Sequence, residues 1–458
     1  MASYRSGSHR LYGLILGLLL ATSIEVEAQV TSDPSLDAGT STPNAQTADT
    51  TNTAPASTPA PGQATTPPAL PAAGQAPPIP AVPDQRLEVY GYVMTDFGYN
   101  FETIDPNWFD VMRPTKLPSF RDEFGRDGRT FAGVRQTRFG VKGFQPTKYG
   151  ELKTTFEFEL FGVGVDTGQT TFRLRHAYGE LGHFGAGQTW SPFMDIDVFP
   201  NSIEYWGPNG MAFFRNVQVR WMPIQGDTRL TIALERPGSS QDPGRLEDRI
   251  EIANVLARFP YPDLSGEFRW GGKRGYLEAA GIVGNTRLDD VLKDQFNLDQ
   301  NVNRWGVNLT SNLKLGPKNV LKAGYVFGEG MENYMNDAPA DIAAKPRFGD
   351  PTRPIRAVAL PFRGLTAFYD HYWSDRWSST AGYSQLVIDN TVLQKANEFH
   401  RGQYALADLL YYPTEDVMLG GEFQWGRRTN FADGYHFNDY KVQFSFRFSF
   451  DGVIGRAP

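Results

Sequence analysis

Arg138 and Lys142 stand four residues apart, Arg173 and Arg175 two apart, and Arg220 follows in a similar setting. On a strand, where successive side chains alternate between faces, such even spacings put each pair on one face. A guanidinium offers a rigid fork of donors that meets a carboxylate in two parallel hydrogen bonds, so a row of them on a wet wall suits transient recognition of organic anions. Arg229, Arg269, Arg304, Lys322 and Arg447 are further inward candidates of the same kind. Glu157 and Glu159 lie between the two basic rows, and pairing across strands would use part of the positive charge to stiffen the wall. Arg135 has the opposite parity to Arg138, so it must sit above the apolar belt, follow a bulge or break the register.

A second set of groups occupies the connection 191–212: Asp195, Asp197, Glu204, Tyr205 and Trp206. Folded inward, its acids would face the arginines across a constriction, and a transverse field of that kind would orient a dipolar solute. Bond chemistry has little to work with. The chain has no cysteine and six histidines, of which His371 beside Asp370 and His176 near Ser and Thr residues are the only suggestive cases. A hydrolase would need nucleophile, base and orienter in register, so no catalytic residue, metal or cofactor is expected.

The elements that must hold these residues are written in a period of two. Val442, Phe444, Phe446, Phe448 and Phe450 alternate with Gln443, Ser445, Arg447 and Ser449, giving one oily face and one wet face. The pattern recurs from Leu87 to Phe450 in about sixteen segments, with alternating short and long connections. Short ones include 223–227, 271–274, 374–376 and 413–416; long ones include 102–130, 191–212, 237–262 and 329–361. The fold expected is all-β, a transmembrane antiparallel β-barrel of about sixteen strands, oily parity to lipid and polar parity to a channel. Rings beside the short turns, namely Phe144, Tyr149, Trp221, Trp270, Tyr276, Trp373, Trp377, Tyr411 and Tyr412, read as a lower aromatic girdle. Closure is required, because an unpaired strand edge in hydrocarbon leaves amides without partners at several kcal/mol each. The average composition, 40% hydrophobic and 13% aromatic, hides this because alternation cancels in any average. A formal net charge of -7 without a basic run excludes nucleic acid as a partner.

Arg5, His9 and Arg10 precede an apolar run from Leu11 to Ala21, and Val26-Glu27-Ala28 offers small residues where a signal peptidase cuts. Residues 1–28 are therefore expected to be a signal peptide cleaved after Ala28. Residues 29–85 are dominated by Pro, Ala and Thr, cannot offset their ordering entropy, and are expected to be a disordered periplasmic segment, a solvated tail or a spacer touching the cell wall. The barrel is expected over 86–450, followed by a tail over 451–458.

Several segments together resemble the DcaP-like outer-membrane porins: Arg135-Gln136-Thr137-Arg138-Phe139-Gly140-Val141-Lys142-Gly143, Gly187-Gln188-Thr189-Trp190-Ser191-Pro192-Phe193, Gly328-Glu329-Gly330 with Tyr334, Asp370-His371-Tyr372-Trp373, and Gly420 to Arg428. The resemblance runs from about Glu88 to Phe450. It implies a homotrimer in outer-membrane lipid, an inward third loop, a positively charged constriction at Arg138, Arg173 and Arg175, and uptake of dicarboxylic and related organic acids. Family members often carry a coiled-coil segment before the barrel; 29–85 lacks heptads, so trimerisation would rest on barrel walls alone. The function expected is passive diffusion of small organic anions through a pore narrowed by loop 3. The alternatives are a porin preferring phosphate or sugar, or an envelope-tethering protein acting through 29–85.

Overall fold

The computed structural model describes residues 85–292 and 294–455; the expected signal peptide and the Pro/Ala/Thr-rich segment lie outside them. Sixteen antiparallel strands form one closed barrel. In chain order they are β1 (Arg86–Asn100), β2 in two pieces (Arg129–Gly133 and Arg138–Thr147), β3 (Gly150–Phe161), β4 (Thr170–Leu181), β5 (Phe184–Trp190), β6 (Arg215–Ile224), β7 (Arg229–Glu235) and β8 (Asp263–Gly272). There follow β9 (Gly275–Asp290), β10 (Gln300–Lys314), β11 (Asn319–Glu329), β12 (Pro361–Ser374), β13 (Trp377–Ile388), β14 (Phe399–Thr414), β15 (Val417–Asn430) and β16 (His436–Gly455). Each strand pairs with the next, and β1 closes on β16 from Arg86 opposite Gly455 to Asn100 opposite Lys441. β16 thus continues five residues past Phe450. Turns of a few residues join the strands at one end, with Gly150 and Gly275 in the positive-φ conformation that tight reversals demand.

The alternation works as the sequence implies. Phe444, Phe446, Phe448 and Phe450 are 58, 40, 54 and 44% exposed on the outer wall, while Gln443 and Ser445 are 0 and 1% exposed inside. Six of the girdle rings, Tyr149, Trp221, Trp270, Trp373, Trp377 and Tyr411, take the outward parity beside the turns. Phe144, Tyr276 and Tyr412 instead take the inward one: Arg86 stacks on Phe144, Tyr276 bonds to Asp195, and Tyr412 contacts Asn201.

Among the bulges of the barrel, two place arginines of the inner wall. Between the Tyr92–Arg138 and Asp96–Gly133 pairs, β1 advances four residues and β2 five, so one extra residue lies within 134–137. A bulge is one of the three alternatives the sequence leaves open for Arg135, and with it both Arg135 and Arg138 face inward. On β4, Glu157 pairs with His176 and Phe158 with Leu174, so Arg175 is the extra residue and faces inward beside His176.

The lumen is filled on the long-loop side by apolar residues from three connections. Trp108, Val111, Met112 and Leu117 of 101–128 pack with Phe193, Met194, Phe199, Tyr205, Trp206 and Met211 of 191–214 and with Met331, Tyr334 and Met335 of 330–360. The interlock is polar as well: Trp206 Nε1 donates to the Asn336 carbonyl at 2.8 Å, and Asn336 Nδ2 donates back to the Trp206 and Pro208 carbonyls.

Candidate functional site

β2, β3, β4 and β6 bring four arginines to two glutamates on the inner wall. Arg175 donates to Glu157 through a short contact and to Glu159 at 2.6 Å. Arg173 lies 3.3 Å and Arg215 3.6 Å from Glu159. Arg138 lies 3.7 Å from each carboxylate. Four guanidiniums around two carboxylates leave an excess of two positive charges, all but Arg173 more than nine-tenths buried. Tyr205, from the loop 191–214, donates to Glu159 through a short contact and accepts from Arg173 at 3.1 Å. The wall and the loop are thereby one hydrogen-bonded unit.

Arg138 differs from its neighbours. Its ion pairs are too long to be hydrogen bonds, and its Nε and Nη2 have no hydrogen-bond partner among the described residues. Arg447, across β1 on β16, makes no ion pair at all among the described residues and its Nε is also unpartnered. Their guanidinium carbons lie 5.3 and 5.6 Å from the centroid of one ring, Tyr92. Beside them an apolar floor is formed by Met94, Leu410, Met418 and the loop residue Ile203.

The remaining expected residues are distributed as follows. Lys142 packs its ammonium 4.9 Å from the Tyr90 ring, while Tyr90 donates to Glu157 at 2.8 Å. Arg220 points inward, held by Gln218 at 2.8 Å and by the Trp190 carbonyl, and lies over Tyr178. Arg229 pairs with Glu267 and Glu278, Arg304 with Asp263, and Lys322 with Asp370. His176 is buried against Trp190 and shares a hydrogen bond with Thr189, and His371 sits on the outward parity beside Trp373.

The loop acids do not face the arginine wall as expected. Asp195 accepts from Arg269 at 2.7 Å, Tyr276 at 2.6 Å and Thr310 at 2.7 Å, and Asp197 accepts from Arg269 at 2.5 Å. They moor the loop to β8, β9 and β10, because a buried carboxylate needs a cation and donors more than it needs an open channel. Glu204 is fully buried, capping the amides of Met112 at 2.9 Å and Gly207, with Lys441 at 4.0 Å. Burial pushes both Asp195 and Glu204 above the usual carboxylate range, against the pull of Arg269 and Lys441 respectively. Trp206 is fully buried, and the Arg113 guanidinium packs 3.8 Å from its ring centroid and 4.1 Å from that of Trp108, which meets Trp206 edge to face.

Sequence reasoning missed Arg113, which pairs with Asp337 at 2.8 Å, and Arg215, which lies just ahead of the alternating part of its strand. The signal available was the density of Trp, Met and Phe in connections that should be polar if they were solvated. Among the described residues no group of three or more His, Cys, Asp or Glu side chains is placed to hold a metal ion.

The family described as DcaP outer membrane protein matches residues 75–444. No curated protein matches the chain. Among solved structures, the outer membrane channel DcaP of Acinetobacter baumannii aligns with a TM-score of 0.66 at 22% identity, over 80% of this chain and 97% of that one. An anion-selective porin from Comamonas acidovorans aligns with a TM-score of 0.53 at 10% identity, over 80% of this chain and all of that one. At these identities the likeness is one of fold.

Proposed function

The chain belongs to the DcaP outer membrane protein family, and on that footing we propose that it lets small organic anions, dicarboxylates or related acids, diffuse passively through its lumen. The observation that carries this reading is spare donor capacity: Arg138 and Arg447 flank Tyr92 on the inner wall with guanidinium nitrogens that no protein acceptor occupies. A permeant carboxylate offers the acceptors these forks lack, in a water-poor setting where charge-assisted hydrogen bonds are strong. Arg173, Arg175 and Arg215 supply field rather than seats, since Glu157, Glu159 and Tyr205 already engage them.

The narrowing on this reading comes from the loop 191–214 together with 101–128 and 330–360. Moored at Asp195 on one wall and at Tyr205 on the other, the loop confines solutes toward the arginine side. The solved Comamonas porin is named for anion selectivity, which agrees with this reading. A homotrimer, as the resemblance implies, would pack barrel wall on barrel wall.

The test is a reversal-potential measurement on the purified protein in a planar bilayer under a salt gradient. The expected cation-to-anion permeability ratio is below one, with dicarboxylates blocking small-ion current more strongly than phosphate or neutral sugars do. A cation-selective channel would reject the proposal, and stronger block by phosphate or by a sugar would move the substrate class to that solute.

A further inference from the structure

The outward face of β9 and β10 changes character along its length. Val283 sits opposite Trp305, both exposed and apolar; two residues on, Asn285 donates to Asn303 at 2.8 Å; two further on, Arg287 sits opposite Asn301. Arg287 is four residues beyond Val283 toward the long-loop end, roughly 13 Å along the strand at the usual rise per residue. An interfacial tryptophan followed by amides and then a guanidinium marks the passage from hydrocarbon to headgroups.

A hairpin of the connection 330–360, Ile342–Pro346 paired with Ile355–Ala359, is fastened at this level. Gln300 donates to the Ala357 carbonyl at 2.5 Å and accepts from the Ala357 amide at 3.0 Å, and the Asn297 amide donates to the Thr352 carbonyl at 2.8 Å. These bonds carry Arg347 and Arg353 to the outward side, where with Arg287 they line a cavity of about 290 Å³ that Asn297, Asn301 and Asp299 complete. Its acidic competitors are solvent-accessible, and Asp289 is shared with Arg258. Asp289 holds Arg287 at 2.7 Å and Asp350 approaches Arg347 at 3.9 Å, both arginines being more than two-fifths exposed, while one oxygen of Asp299 is taken by the Asp290 amide. Arg353 makes no ion pair among the described residues. Exposed pairs of this kind are worth little and exchange readily for a better acceptor.

We propose that this pocket binds a phosphomonoester, and that its source is the phosphorylated sugar headgroup of the outer-leaflet lipid. Three guanidiniums around a cavity of this size match the three oxygens of a phosphate, and the position on the lipid side of the wall makes the membrane the supplier. The site stands apart from the lumen, so it orders lipid around the barrel without touching permeation.

The experiment compares wild type with Arg287→Gln/Arg353→Gln, as intact detergent-solubilised protein, for binding of lipopolysaccharide and of enzymatically dephosphorylated lipopolysaccharide. Expected is about a tenfold or greater loss of affinity on removing either the arginines or the phosphates, steeper in low salt, with bilayer reversal potential unchanged. Equal binding by the variant, or of the dephosphorylated lipid, would overturn the proposal. Displacement of the lipid by inorganic phosphate at matching concentration would overturn the assignment of source and leave a free-phosphate site. The unchanged reversal potential of the variant serves as the check that the barrel has folded.

Discussion

Replacing Arg447 by Gln separates a seat for anions from a mere source of field. The side chain is 8% exposed, faces inward on β16 and makes no ion pair among the described residues, so its loss orphans no carboxylate. Arg175 is the contrast: removing it breaks the shortest ion pairs of both Glu157 and Glu159, a buried pair whose loss costs up to about 3–5 kcal/mol. Arg447→Gln should therefore leave the barrel at least as heat-stable as the wild type. For a carboxylate about 5 Å from the lost charge, the Coulomb energy forfeited is about 0.8 kcal/mol if water fills the gap and about 3 kcal/mol at an effective dielectric of about 20. That span corresponds to a loss of about fourfold to roughly two-hundredfold in affinity. The assay is block of small-ion current by succinate, titrated on single channels, with the reversal potential taken on the same membranes. Arg447→Gln should weaken block within that range and shift the reversal potential toward neutrality, and Arg138→Gln/Arg447→Gln should weaken block further while the field of Arg173, Arg175 and Arg215 keeps a reduced anion preference. Unchanged block by succinate in a folded Arg447→Gln barrel would refute the reasoning.

Further outcomes follow from the loops. Asp195→Ala removes the mooring to Arg269, Tyr276 and Thr310; it should cost about 3 kcal/mol, lower the heat-denaturation midpoint and raise single-channel conductance as the loop loosens, whereas unaltered conductance would place the loop's anchorage elsewhere. Gly210 runs against the carbonyls of Gln385 and Leu365, main-chain atoms that cannot swing aside, so Gly210→Ala should cost about 1–3 kcal/mol and make the current noisy. Burial, reinforced by Asp341, holds the Glu332 carboxyl well above the usual range against the pull of Arg304. Because the folded value is raised, this group's stabilisation is present in acid and lost as pH rises through that value, so exchange protection of residues 330–341 should fall with rising pH in the wild type and stay flat in Glu332→Gln. Amino-terminal sequencing of the exported protein should begin at Gln29; a start elsewhere would displace the expected cleavage after Ala28.

The barrel was legible because lipid enforces the alternation: a slip of one residue would turn the whole Gln443, Ser445, Arg447 row into hydrocarbon, so the pattern survives in every strand. The inward placing of Arg138, Arg173, Arg220, Arg229, Arg269, Arg304, Lys322 and Arg447 came from the same rule. Arg135 and Arg175 show where it stops. Each lies at a bulge, a one-residue surplus that no periodicity announces, although the odd spacing of three residues between Arg135 and Arg138 left a bulge as one of the readings open for Arg135. The connection 191–212 reads as inward, yet Asp195 and Asp197 pair with Arg269 and Glu204 caps the Met112 and Gly207 amides, so none of these acids faces the arginine wall. Nothing local to Asp195 specifies Arg269, which is 74 residues away in sequence, and only closure of the barrel brings them together.

The same closure explains why charge alone misjudges the arginines. Counted by sign, Arg175 is the strongest member of the wall; counted by donors, it is the least available, since both carboxylates bind it. A permeation site has to hold an anion weakly enough to release it, and guanidiniums locked in hydrogen-bonded pairs can attract over distance without gripping. On the proposed reading Arg138 and Arg447 can do both, because Arg138 stands too far from Glu157 and Glu159 to hydrogen-bond to them and Arg447 makes no ion pair among the described residues, which leaves both forks open beside Tyr92. On the proposed function, the knot of Arg173, Arg175, Arg215, Glu157 and Glu159 would act as a fixed positive field that draws an anion toward Tyr205, and the open forks of Arg138 and Arg447 would provide the step from attraction to contact.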